Sequence, residues 1–403
     1  MKSFTLVLPI VLVLFVACIP VPTGRPEAPL AIATLQGVTP TPSTPTGILT
    51  DTSTPARAQS SAPSPIGTSA EPADPGSFQV GDLAFVDALH GWALGQYGNA
   101  NGIVTTAVRV TVDGGRSWQA TGAPPTRMVL GGPAVSKIRF ANTRDGWTFD
   151  PGLFSTHDGG HTWIDESPSG DVIAVEPDGG TVWAVERTCK DAVAKNDCRF
   201  ALLLSNQGAQ GWQPAPTPLP ATVLRHVRVS TEQAWILSTE AGSLAGRQLW
   251  VTRDGGQTWS EPNPSASISR CEHVAMDETR QLWLLCGGAT ATNMQQKWLL
   301  VSQDEGKHWT KIGDQTLPWL GGIMDLDVVS HQRAFIALAR YAVIATTDGG
   351  GTWQPTRLTE GDVLGGYRRV LFVDEWHGWA LPGQWYVDRT EDGGITWEEV
   401  ALP

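Results

Sequence analysis

Residues 111–118 read Thr-Val-Asp-Gly-Gly-Arg-Ser-Trp, and the pattern T-x-D-G-G-x-S/T-W returns along the rest of the chain. Further copies end at Trp163, Trp259, Trp309, Trp353 and Trp397, the one at Trp309 reading S-Q-D-E-G-K-H-W. A decayed copy, S-N-Q-G-A-Q-G-W, ends at Trp212 with Gln207 in the Asp place. Successive copies lie 44 to 50 residues apart. A fixed period of that length marks a repeat architecture in which each copy is one supersecondary unit.

A second signal precedes every copy. The segments G-W-A-L-G, G-W-T-F-D, V-W-A-V-E, A-W-I-L-S, L-W-L-L-C, A-F-I-A-L and G-W-A-L-P place Trp92, Trp147, Trp183, Trp235, Trp283, Phe335 and Trp379 in equivalent positions. Short alternating runs such as Leu83-Ala84-Phe85-Val86 lie upstream. Each unit therefore reads as strand A, turn, strand B with its aromatic, loop, strand C, the D-G-G turn, and strand D starting at Trp. Four antiparallel strands repeated radially describe an all-β, seven-bladed β-propeller. The two series absorb 13 of the 18 Trp, so most of them are packing residues.

Turn chemistry explains the octapeptide. Glycine takes the positive φ of a tight turn, and the Asp carboxylate accepts hydrogen bonds from backbone N–H groups of its own turn. Asp113, Asp158, Asp254, Asp304, Asp348 and Asp392 are expected in this structural role, since carboxylates in six separate blades cannot converge on one ligand. These residues resemble the Asp-box, or BNR repeat, of sialidases, some xyloglucan-degrading hydrolases and sortilin-type receptors. The pairing of D-x-x-H-G-W-A-L-G with the box, closest at Asp87–Gly95 and Asp374–Pro382, is most similar to the photosystem II stability and assembly factor family. The resemblance covers the whole repeat region and implies a non-enzymatic protein-binding or assembly scaffold.

The chain has a different character before the repeats. Met1-Lys2 is followed by an apolar run from Phe4 to Ala17 and then Cys18. Such a run is short for a membrane span and reads as a lipoprotein-type signal peptide over 1–18, with Cys18 the lipidation site. Simple secretion with Cys18 removed is the alternative. Residues 19–77 hold 12 Pro and 17 Ser or Thr in 59 residues and no aromatic residue, the composition of a disordered stalk. The propeller then occupies 78–403. An exported protein on the outer side of the cytoplasmic membrane or at the cell surface is expected, tethered by lipid alone and monomeric. A net charge of -12 excludes nucleic acid, whose phosphates need a basic footprint.

Four further cysteines suit an oxidising compartment. The strand register sets Cys271 opposite Cys286 and makes Cys189 and Cys198 bracket one hairpin, so the pairs 189–198 and 271–286 are expected. Metal ligation is the rival reading, but no His lies near the first pair; no metal site and no cofactor are expected.

The D-G-G turns share one face of the propeller with the A–B turns, which leaves the B–C loops and the long D–A connections on the other. A protein partner is expected at that second face. Aligning the A strands puts Asp82, Lys137, Val172, His226, His273, Asp325 and Arg369 at one level of the central opening. The next level reads Ala84, Arg139, Ala174, Arg228, Ala275, Asp327 and Leu371. An ion-pair network lining a wet channel is one account of these charges. The other is an anion-recognising mouth of Lys137, Arg139, Arg228 and Arg369, with His226 and His273 beside it, because guanidinium forks suit carboxylates. Trp319 and Trp385 belong to neither Trp series and are candidate contact anchors. A sialidase-like glycoside hydrolase is the enzyme alternative. Its Arg-Ile-Pro-like segment is missing, and Tyr341, Tyr367 and Tyr386 have no evident Glu partner.

Overall fold

The computed structural model describes residues 78–403 apart from 99–103, 126–134, 167, 179, 192–195, 207–210, 216–218, 220–222, 231, 240–245, 264–267, 315, 359–365 and 384. The expected signal peptide, Cys18 and the 19–77 stalk lie outside the described residues. Seven antiparallel sheets follow one another, each built from consecutive strands. The first comprises Gln79–Phe85, Gly91–Gly98, Val104–Thr111 and Gln119–Ala120. Six sheets have four strands, as a propeller blade requires.

The fourth repeat corrects the expectation of seven four-stranded blades. Its sheet has three strands, Val223–Ser230, Gln233–Thr239 and Arg247–Thr252. Where the outer strand would run, the described residues form only the isolated bridge Val251↔Ser260. The local sequence supplies the reason: Pro262 and Pro264 follow at once, and proline cannot donate to a ladder.

The first strands of neighbouring sheets pack against one another and form the inner ring. Between sheets, the aromatic of strand B meets the first strand of the next repeat. Trp92 stacks on Phe140 with centroids 3.6 Å apart, Trp379 on Phe85 at 3.5 Å, and Phe335 on Phe372 at 3.8 Å. The octapeptide Trp of the same repeat as each Phe closes the group edge-on, as Trp163 does on Phe140. All seven strand-B aromatics are buried.

This packing accounts for the G-W segments. Phe140 lies directly across the strand pair from Gly146, and a Cβ on Gly146 would come within 2.4 Å of its ring. Gly91 and Gly378 face Phe85 and Phe372 in the same way. Where the first strand has Val229 or Met276 instead, Ala234 or Leu282 takes the glycine's place. The glycine is a space for the neighbouring ring.

The six intact octapeptides share one hydrogen-bond pattern. In the first, Thr111 Oγ1 donates to Asp113 Oδ1 at 2.8 Å and accepts from Gly115 N–H at 2.9 Å. Ser117 N–H donates to Oδ1 at 2.9 Å and its hydroxyl to Oδ2 at 2.6 Å. Asp158, Asp254, Asp304, Asp348 and Asp392 accept the equivalent backbone N–H at 2.8–2.9 Å. In five copies both turn glycines sit at positive φ, which L-residues with a Cβ rarely adopt, and in the copy at Asp304 the first of these positions is held by Glu305 at φ 62°. Gly114, Gly159, Gly255, Gly349 and Gly393 then donate N–H to a carbonyl of their own A–B turn, so the two sets of turns share a face.

Candidate functional site

The first strands enclose a central cavity of about 810 Å³, lined in part by Asp82, Lys137, Arg139, His273, Asp325 and Arg369. An inner-edge strand leaves backbone N–H groups without a ladder partner, and each needs an acceptor. Aspartates of the preceding repeat supply it. Asp82 Oδ2 accepts from Ile138 N–H at 3.0 Å, Asp325 Oδ2 from Val370 N–H at 3.2 Å, and Asp327 Oδ2 from Phe372 N–H at 2.6 Å.

Asp82 also collects the cations. Arg139 Nη1 donates to its Oδ2 at 3.0 Å, and Arg369 Nη1 donates to its Oδ1. Burial disfavours the carboxylate, but Arg369, Arg139, Lys137 and the Ile138 N–H outweigh it and hold Asp82 at about 2. Burial pushes the His273 imidazole below its ordinary value, against the pull of Asp325 and Glu272. Arg139 and Arg369, two of the three arginines of the expected anion-recognising mouth, thus already hold a carboxylate, and Arg369 joins the last repeat to the first through it.

The cross-strand register corrects the alignment of the inner residues. Opposite the strand-B aromatics stand Ala84, Arg139, Glu176, Arg228, Ala275, Asp327 and Leu371. Glu176 therefore occupies the place expected for Ala174, and Ala174 the place expected for Val172, which is fully buried. The third repeat has a shorter A–B turn. Glu176 precedes Trp183 by seven residues, as Arg228 precedes Trp235, where other repeats have eight. Counting back from the aromatic finds it. His226 and Arg228 hold the expected register positions, but their side chains lie outside the described residues.

Trp319 and Trp385 are both about half exposed, at 53% and 48%, on the face away from the octapeptide turns. A third half-exposed tryptophan, Trp376, was hidden in the sequence beside Trp379; it is 54% exposed on the A–B turn of the last repeat, on the opposite face, the one that carries the octapeptide turns. Disulfides join Cys189 to Cys198 and Cys271 to Cys286, each pair directly opposed across neighbouring strands.

Among the described residues Tyr367 has no Glu partner, but it does have an aspartate one that the sequence did not suggest. Its hydroxyl donates to Asp388 Oδ2 at 2.6 Å, and Arg357 grips the same carboxylate from Nε at 3.1 Å and Nη2 at 2.9 Å. Tyr367 and Asp388 are buried, and burial with the adjacent carboxylate pushes the phenol far above its ordinary value. That is the wrong direction for a nucleophile. Among the described residues no group of three or more His, Cys, Asp or Glu is arranged to hold a metal ion.

Fold and site together define an Asp-turn repeat propeller with a cavity lined by paired charges. Residues 75–381 match the model of the family described as photosynthesis system II assembly factor YCF48, and the chain belongs to that family. It is similar to the chloroplastic photosystem II stability/assembly factor HCF136 of Arabidopsis thaliana, 23% identical over 77% of this chain and 75% of that protein. The photosystem II assembly protein Ycf48 of Thermosynechococcus vestitus is 22% identical over 74% of this chain and 78% of its own. The solved structure of YCF48 bound to D1 peptide shares the fold, with a TM-score of 0.55 at 18% identity over 79% of this chain and 94% of that one.

Proposed function

We propose that this chain is a non-enzymatic scaffold that binds a segment of a partner protein at the face of long loops around the cavity. The observation that carries this reading is the capture of a relative with the same fold, YCF48, bound to D1 peptide. In this reading the three-stranded sheet is the seventh blade, since it keeps the period and the inner-ring position of the others. The octapeptide aspartates serve their own turns and take no part in binding. Lys137, Arg139 and Arg369, with Arg228, His226 and His273, form the charged floor of the site, and Trp319 and Trp385 its apolar rim. The propeller of residues 78–403 stands outside the cytoplasm as a monomer, on a stalk of residues 19–77 anchored by a lipid at Cys18.

The test is capture of cross-linked partners from native membranes on the immobilised full chain, beside a panel of fluorogenic glycosides. A discrete partner lost with Lys137→Glu, and no glycoside turnover, is the expected result. Turnover that vanishes with Tyr367→Phe, or no partner at any salt concentration, would overturn the scaffold reading.

A further inference from the structure

Two long loops on the face away from the octapeptide turns are joined to each other more firmly than connections need to be. Met294 bridges both Ala291 and Leu320. Gln295 N–H donates to the Trp319 carbonyl at 2.8 Å, and Gly321 N–H donates to the Asn293 carbonyl at 2.9 Å. Beneath this small ladder lies Lys297, only 1% exposed. Its ammonium donates to the carbonyls of Gln295 and Pro318 at 2.9 Å and of Trp319 and Leu320 at 3.3 Å. Buried Gln295 adds a brace, accepting from Ile323 N–H at 2.9 Å and donating to Glu272 at 3.1 Å.

Such bracing fixes the backbone and turns apolar side chains outward. Trp319 is 53% exposed, Met294 46%, Leu320 42% and Met324 38%. Met294 and Leu320 stand opposite each other in that ladder, with Trp319 next to Leu320 in the chain and Met324 at the start of the following strand. Exposed apolar side chains on loops braced in this way are a preorganised contact surface. Methionine lets such a surface adapt to its ligand and tryptophan gives it an anchor. The strand that leaves it, Ile323–Val328, carries Met324, Asp325 and Asp327 into the wall of the cavity. At about 3.3 Å per residue, the carboxylates stand within one to three residues' reach of the apolar surface. Arg369, the cation facing them, is bound to Asp82 and is also drawn to both carboxylates.

We propose that Met294, Trp319, Leu320 and Met324 form a docking platform for a partner segment that pairs an aromatic or large aliphatic residue with a lysine or arginine. The apolar side chain packs on Trp319, and the cation reaches the Asp325–Asp327 side of the cavity. The surplus of 40 acidic over 28 basic residues favours the same sign of partner. This inference rests on the protein-binding reading and names the chemistry of its ligand.

The test uses the full chain and fluorescein-labelled decapeptides that differ only in a central pair: Phe-Arg, Leu-Lys, Phe-Glu or Ser-Arg. Anisotropy should show Phe-Arg and Leu-Lys binding at least tenfold more tightly than Phe-Glu and Ser-Arg. Trp319→Ser and, independently, Leu320→Ser should each erase that preference with an unchanged thermal melt. Equal affinity for all four peptides, or binding unmoved by both variants, would overturn the platform. So would a wild-type dimer that Trp319→Ser dissolves in sedimentation, or affinity that appears only when residues 19–77 are deleted. If native membranes yield a partner that both variants retain, the platform alone fails and the scaffold reading stands.

Discussion

Trp92 donates its indole N–H to the carbonyl of Gly159, 67 residues later, at 2.9 Å. The acceptor is part of the next repeat's octapeptide, so each Asp-centred turn supports its own hairpin and also receives the neighbour's aromatic. Trp379 makes the same bond to Gly114, across the join of last repeat to first. The turn is therefore an element of the seam between sheets.

Asp158→Ala should be destabilising for that reason. It removes the acceptor for Thr162 N–H, the Thr162 hydroxyl and the Thr156 hydroxyl. Leaving turn donors without acceptors costs on the order of 1–3 kcal/mol. A lowered denaturation midpoint with partner capture unchanged is the expected pair of results. A lost partner with an unchanged midpoint would move the binding face to the octapeptide side.

Gly146→Ala tests the ring-and-space packing separately. The added Cβ would stand 2.4 Å from the Phe140 ring and force it off the Trp92 stack. Overpacking of this kind costs about 1–3 kcal/mol. The double variant Gly146→Ala with Phe140→Val recreates the small-residue pairing of Val229 with Ala234 and should recover part of the loss. Thermal melts of the two variants decide it, and equal melts would show that the glycine serves the backbone instead.

The period, the strand order, the shared face of the turns and both cysteine pairs were legible because each depends on local spacing. A repeat writes its register into the sequence many times over. What escaped was non-local or singular. Glu176 was missed because the third A–B turn is one residue shorter, which brings the inward position to seven residues before Trp183. The three-stranded fourth sheet was missed because its octapeptide is intact and the loss lies beyond it, at Pro262 and Pro264. The pairing of Tyr367 with Asp388 joins residues whose proximity only the folded sheet creates. Charges at one mouth, as an ion-pair network or an anion site, were foreseen, but the clasp that joins first and last repeats through Asp82 and Arg369 was not.

That clasp makes stability depend on pH. The Asp82 carboxyl is held at about 2 in the fold, below its ordinary 3.8. A depressed carboxylate stabilises the fold above its unfolded pKa, and the contribution is lost as pH falls through the folded value. The window is therefore roughly pH 4 down to 2, and the contribution is on the order of 2 kcal/mol. Asp82→Asn should lower the melt at pH 7 and flatten its fall across that window. An unaltered pH profile would mean that Arg139 and Arg369 find other acceptors and that the clasp is dispensable.

Tyr367→Phe separates a buried structural triad from a catalytic one. The phenol gives Asp388 one hydrogen bond, while Arg357 supplies two and remains after the substitution. The variant keeps the ring in its pocket and should lose about 1–2 kcal/mol of stability. Arg357→Met should cost more, because it strands a carboxylate that is fully buried. A catalytic tyrosine would invert the order: Tyr367→Phe would abolish turnover of an aryl glycoside while leaving the melt nearly unchanged. The raised phenol predicts the structural outcome, since at neutral pH the hydroxyl keeps its proton and stays bound to Asp388. Melts of the two variants, read beside glycoside hydrolysis by the wild type, discriminate the two roles.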